Sequence, residues 1–163
     1  SPKVSQNERS IAEGEWNPRH PEVRPILFGV DSAGERATLC RSSWEMAESF
    51  LESEFWTALK DATSTVSVES EVPFLLRTSE PERFFSGKID LVVEQREAVT
   101  VVDFKTDQEA HPNHYEGQIA VYRRAVAELY GKPVHSYLFF LRHGAASEMK
   151  VELEAILPKI DAL

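Results

Sequence analysis

The chain has 163 residues, 42% of them hydrophobic, which is enough apolar material for one domain with a sizeable core. A single cysteine, Cys40, excludes an internal disulfide and a multi-cysteine zinc site and fits a reducing, cytoplasmic setting; no apolar run is long enough to span a membrane, and the polar amino-terminal stretch lacks a signal-peptide apolar region. With 18 basic against 27 acidic residues the formal charge is −9, which argues against generic nucleic-acid binding, because affinity for phosphate comes largely from Lys and Arg.

Pro2, Pro18, Pro21 and Pro25 interrupt the first forty residues, where no sustained period occurs apart from Pro25-Ile26-Leu27-Phe28-Gly29-Val30. Residues 1–40 therefore read as a loop-rich arm and 41–163 as the core of a single domain. Ser42-x-x-Glu45 is a capping-box signal for a helix running to about Lys60, with Trp44, Ala47, Leu51, Phe55 and Leu59 as the stripe that packs on a sheet. Val66, Val68 and Val72 alternate with polar residues, and Val72-Pro73-Phe74-Leu75-Leu76 prolongs the run, so a first strand is expected here. Pro73 within it points to an edge or a bulge.

Ile89-Asp90-Leu91-Val92-Val93 and Val99-Thr100-Val101-Val102-Asp103-Phe104 read as two strands joined by the short polar Glu94-Gln95-Arg96-Glu97. Acidic residues at the edge of apolar strands are costly to bury unless neutralised, and a hard divalent cation with oxygen ligands both neutralises them and activates water. With Gln95-Arg96 as the turn, Asp90 lies opposite Val101, and Asp90, Asp103 and Lys105 share one face, the two aspartates as diagonal neighbours. Lys105 would suit a phosphate or a developing oxyanion. The plainer alternative is an exposed hairpin carrying ordinary surface charges.

From His114 to Tyr130 the apolar positions Tyr115, Ile119, Tyr122, Val126 and Leu129 recur at three- and four-residue spacing, one buried stripe of a helix. Gln118 and Tyr122, four apart, stand on nearly the same face; Gln118 either reaches a ligand or is an amide bonded to the main chain. Tyr115 and Tyr122 fall on the stripe as core residues. His111 and His114 read as loop residues, although both follow Lys105 closely enough to line a site. Gly131-Lys132-Pro133 ends the helix, and Val134 to Leu141 is a further strand. Strand, hairpin, helix and strand in that order give an α/β fold, a mixed central sheet flanked by helices.

Taken together, Gly87-x-Ile89-Asp90, Val101-Val102-Asp103-Phe104-Lys105-Thr106-Asp107 and Tyr115-x-x-Gln118-x-x-x-Tyr122 resemble the RecB/AddA-type nuclease domain of the restriction-endonuclease-like PD-(D/E)XK superfamily, over roughly Glu71 to Leu141. The resemblance implies that Asp90, Asp103 and the backbone of Phe104 bind Mg²⁺ or Mn²⁺, that Lys105 positions or activates the attacking water, and that Gln118 and Tyr122 serve the site or contact DNA. It implies phosphodiester hydrolysis on DNA, in a bacterial helicase–nuclease of recombination repair whose motor lies in the same polypeptide or in a partner subunit. Glu71, in a Glu-x-Pro-Phe context like that of the family, is either a support for the metal ligands or a solvated strand residue. The family's Gly-x-x-x-His element, whose histidine is a further ligand, has no counterpart: His20 sits in Asn17-Pro18-Arg19-His20-Pro21, where two prolines oppose a helix. Two alternatives stay open: a catalytically weak scaffold or DNA-binding module of the same fold, and a metal-dependent hydrolase of another phosphoester. Lys88, Arg123, Arg124 and Arg142 are candidate phosphate contacts or ordinary surface charges.

Overall fold

The computed structural model describes residues 33–79 and 82–160. The segment 25–30 and His20 lie outside the described residues, as does most of the expected arm. The chain divides into two units between Ala47 and Glu48. The first helix, α1 (Ala33–Leu51), begins ahead of Ser42, so the expected cap at Ser42 lies inside it. The capping serine is instead Ser53, at the start of α2 (Glu54–Lys60): its hydroxyl accepts the Trp56 N–H at 3.0 Å and donates to the Phe50 carbonyl at 2.6 Å. One continuous helix from Ser42 to Lys60 is thus replaced by two. The break rotates the apolar stripe, so that Phe50 is buried while Leu51 is 50% exposed.

Five strands follow in the order of the chain, β1 (Thr65–Ser79), β2 (Glu82–Gln95), β3 (Val99–Lys105), β4 (Val134–Phe140) and β5 (Ala145–Glu148). The β3–β4 pair is parallel and the others antiparallel, the mixed sheet expected from the element order. β1 is an edge strand, where Pro73 costs no interior ladder bond. Between β3 and β4 a short 3₁₀ turn (Pro112–Tyr115) leads into α3 (Glu116–Tyr130), which Gly131 closes at φ +63°. A side chain would oppose that left-handed conformation. The last helix, α4 (Leu153–Ile160), and β5 go beyond the elements expected from the sequence, although Leu153, Ile156 and Leu157 carry helical spacing.

Each face of the sheet has its own core. Ile119, Tyr122 and Val126 of α3 pack against Ile89, Val92, Val99, Val101, Leu138 and Phe140 on one face. On the other, Phe50, Phe55, Trp56 and Leu59 meet Leu91, Val93, Val102 and Phe139. β1 and β2 run on past β3, and there Phe74, Leu76 and Phe85 pack with Ala120 and Val121 of α3 and Leu153 and Ile156 of α4. Gly87 sits where this hairpin crosses the Phe74 ring; a Cβ there would stand 3.2 Å from it. Leu129, expected on the buried stripe, is 68% exposed; the stripe continues from Val126 to Tyr130, which packs on the α3-side core, and leaves Leu129 beside it.

Alternation along β1 and β2 breaks at one place in both strands. Ile89 and Val92, three apart, both enter the α3-side core, and Leu91 enters the opposite one. In β1, Val72 joins the α3-side core through its pairing with Ile89, whereas Val68 pairs with Val93 on the other side. Val66, Val68 and Val72 therefore do not share a face, and the first two are 60% and 46% exposed. The residues at the break are Glu71, whose φ is +55°, and Asp90, which the register sets opposite it.

Candidate active site

The β2–β3 turn is Arg96-Glu97, closed by the Gln95 amide on the Ala98 carbonyl at 2.9 Å, one residue beyond the expected position. Leu91 then pairs with Val102, so continued register sets Asp90 opposite Asp103 rather than opposite Val101. The two-residue shift preserves side-chain parity, and the pair becomes direct instead of diagonal. Pairing stops at Leu91, and from there the Asp90 side chain replaces the ladder: its Oδ2 accepts the Phe104 N–H at 2.8 Å. In a strand the amide and carbonyl of one residue leave on the same side, so the Phe104 carbonyl faces the same edge as Asp90.

Asp103 is 2% exposed, and Lys105 Nζ lies 2.7 Å from its Oδ2. That ion pair partly offsets the burial of this carboxylate. Burial pushes the Asp103 carboxyl above the usual carboxylate range; Lys105 opposes the shift and the nearby Asp90 charge adds to it. Lys105 is held from three directions. Besides Asp103, Nζ donates to Gln118 Oε1 at 2.8 Å and stands 4.0 Å above the Tyr115 ring. Gln118 Nε2 donates to the Tyr122 hydroxyl at 2.9 Å, which donates to the Lys88 carbonyl at 2.9 Å. Burial raises the Tyr122 phenol above its ordinary value, keeping it a donor, and a 2.6 Å hydrogen bond to Asp107 raises the Tyr115 phenol.

Asp103, Lys105, Gln118 and Tyr122 thus form one ion-paired and hydrogen-bonded chain, and Asp90 joins it at β3 through the Phe104 amide. Tyr115, expected only as core, borders the lysine with its ring, and Asp107 fixes its hydroxyl. The remaining candidates do not join. Glu71 is exposed and pairs with Lys88 at 3.2 Å, and His111 is exposed and pairs with Glu109. Arg123 is spent internally on the Val134 carbonyl and Glu152, Arg124 on Glu128 and Glu154, and Arg142 on the Thr106 carbonyl. Among the described residues no three His, Cys, Asp or Glu side chains cluster as a complete metal cage. Two carboxylates, one of them buried with only a lysine to neutralise it, still suit Mg²⁺, which is usually held by one or two carboxylates together with water and substrate phosphate.

A family profile of the PD-(D/E)XK nuclease superfamily matches residues 8–161. An ATP-dependent helicase/nuclease subunit of Lacticaseibacillus casei (strain BL23) is 40% identical over 70 residues, 39% of this chain and 6% of that protein. The protein of the same name from Desulforamulus reducens is 31% identical over 91 residues, covering 45% of this chain and 7% of its own length. The chain therefore spans a small part of these relatives. Among solved structures, a putative exonuclease from Eubacterium rectale superposes with a TM-score of 0.48 at 14% identity, over 74% of this chain and 51% of that one. No helix among the described residues is long and apolar enough to cross a membrane.

Proposed function

The chain belongs to the PD-(D/E)XK nuclease superfamily, and on that premise we propose that it is a single metal-dependent DNA nuclease module that hydrolyses phosphodiester bonds. The observation that carries the reading is the convergence of Asp90, Asp103 and Lys105 at the open end of β3, with Lys105 fixed by Gln118. Asp90, Asp103 and the Phe104 carbonyl would hold Mg²⁺ or Mn²⁺. When bound there, such an ion polarises the scissile phosphate and lowers the pKa of a coordinated water.

The chain's own groups do the rest. Lys105, aimed by Asp103, Gln118 and the Tyr115 face, orients the attacking water and offsets charge on the phosphorane-like transition state. Gln118 and Tyr122 tie that lysine to the main chain of β2, so nucleophile and phosphate are set by one rigid group. The names of the relatives support a helicase–nuclease setting, in which a motor in the same polypeptide or a partner subunit delivers DNA in the cytoplasm to an acidic module that binds it weakly alone. A catalytically weak scaffold is the second reading, favoured by the absence of a third ligating side chain among the described residues.

The test compares the parent chain with Lys105→Ala and Asp103→Ala on linear single- and double-stranded DNA in Mg²⁺, Mn²⁺ or EDTA, with small phosphoesters alongside. Cleavage of the polymer that requires the cation is expected, reduced by about a hundredfold or more in each variant. Cleavage that survives EDTA, or that both variants retain, overturns the assignment. Turnover of the small esters alone moves the chain to another phosphoester class, and an inactive but folded parent favours the scaffold.

A further inference from the structure

The break at Glu71 and Asp90 has no counterpart in the roles assigned above. A non-glycine residue at φ +55° is uncommon, and its cost persists only where surrounding structure demands that conformation. Nothing on the Glu71 side chain makes that demand: the carboxylate is exposed and its ion pair, with Lys88, is equally exposed. The demand comes from the backbone. Register between β1 and β2 is the same on both sides of the break, Ser70 with Leu91 and Val72 with Ile89, so no residue is inserted. Both strands instead rotate together, which lets Ile89 and Val92 enter one core while Leu91 enters the other. Asp90 is the residue at the turning point in β2, and it is there that the β2–β3 ladder ends and the carboxylate takes the Phe104 amide.

We infer that Glu71 is a positioning residue for Asp90, acting through its left-handed backbone rather than its carboxylate: the paired break turns Asp90 out of the ladder and onto the Phe104 amide beside Asp103. Tyr122 secures the arrangement from α3, through the carbonyl of Lys88 two residues before Asp90. The inference rests on the nuclease reading only for its consequence, metal affinity; the geometric part stands by itself.

The experiment is a graded series at one position, Glu71→Gly, Glu71→Asn, Glu71→Ala and Glu71→Val, in which every variant lacks the carboxylate and tolerance of positive φ falls along the series. Two quantities are read: the shift and hydrogen exchange of the Phe104 amide by NMR, with Asp90→Asn as reference, and Mn²⁺ affinity by calorimetry. Glycine and asparagine should keep both near the parent, and glycine should raise the Tm. Valine should move the Phe104 amide towards its Asp90→Asn position and weaken Mn²⁺ binding roughly ten- to a hundredfold. Alanine should fall between them, which keeps the series decisive if the valine variant does not fold. A Phe104 amide unmoved across folded variants overturns the inference, as does loss of the signal in all four, which would give the role to the carboxylate. A parent that binds no Mn²⁺ while its amide follows the series refutes the metal reading and upholds the positioning role.

Discussion

Asp103 is a carboxylate held in a buried position beside a second carboxylate. Because its folded-state carboxyl is raised chiefly by burial, the folded protein binds that proton more tightly than the unfolded chain. The associated stability is fully present below the ordinary carboxylate range and is lost as pH rises through the raised value. Asp103→Asn should therefore have a higher Tm than the parent at pH 7 in EDTA, and the gap should close as pH falls into the carboxylate range. In a domain of this size each kcal/mol corresponds to about 2–4 °C, which differential scanning calorimetry resolves. On the proposed metal role the same variant should also lose cation-dependent stabilisation, because the buried carboxylate is the group that would meet the ion. Lys105, Gln118 and Tyr122 are legible in the sequence as types in a pattern. Their mutual bonds are not, since a four-residue spacing says that Gln118 and Tyr122 are neighbours without saying which atoms meet.

At the scale of elements, α3 separates what periodicity can and cannot show. Ile119 and Leu129 both fit the helical stripe, but only Ile119 meets the sheet. Ile119→Ala should cost about 2–5 kcal/mol, whereas Leu129→Ala should stay within about 0.5 kcal/mol, both measured by urea unfolding. Gly131→Ala at φ +63° should cost about 1–2 kcal/mol. Four of the five strands, the helix over the site and its glycine stop can be read from apolar spacing and breakers. The β2–β3 turn falls one residue past its expected place because Gln-Arg-Glu has none of the residues that fix a turn type, and the site survives the difference only because the register shift is even. The paired break is silent in sequence for another reason: glutamate carries no signal for positive φ, and Val66, Val68 and Val72 keep an even spacing while changing faces in space. α4 has its apolar spacing, but in a stretch of only eight residues containing Pro158.

Over the whole molecule, on the nuclease reading, the charge of −9 would set how nucleic acid is approached. Asp90 and Asp103 would face phosphate directly, and at contact distance like charges repel by about 1 kcal/mol even in water. In EDTA the Asp90→Asn, Asp103→Asn double variant should bind a short DNA more tightly than the parent, by roughly fivefold or more on that figure. Mg²⁺ should remove the difference, and fluorescence anisotropy over a salt series would check both. A shallow dependence of affinity on salt is expected throughout, because Arg123, Arg124 and Arg142 are each already engaged by carboxylates or carbonyls of the protein. The contacts that build the site also have a consequence for how the molecule is assembled. Phe104 to Asp90, Lys105 to Gln118, Gln118 to Tyr122 and Tyr122 to the Lys88 carbonyl span 14, 13, 4 and 34 residues. All of them close within residues 88–122, so the cluster is a contiguous cassette with short loops to close. Later additions at the Leu141–Gly144 turn can then lengthen the chain, or join it to other domains, without rewriting the chemistry.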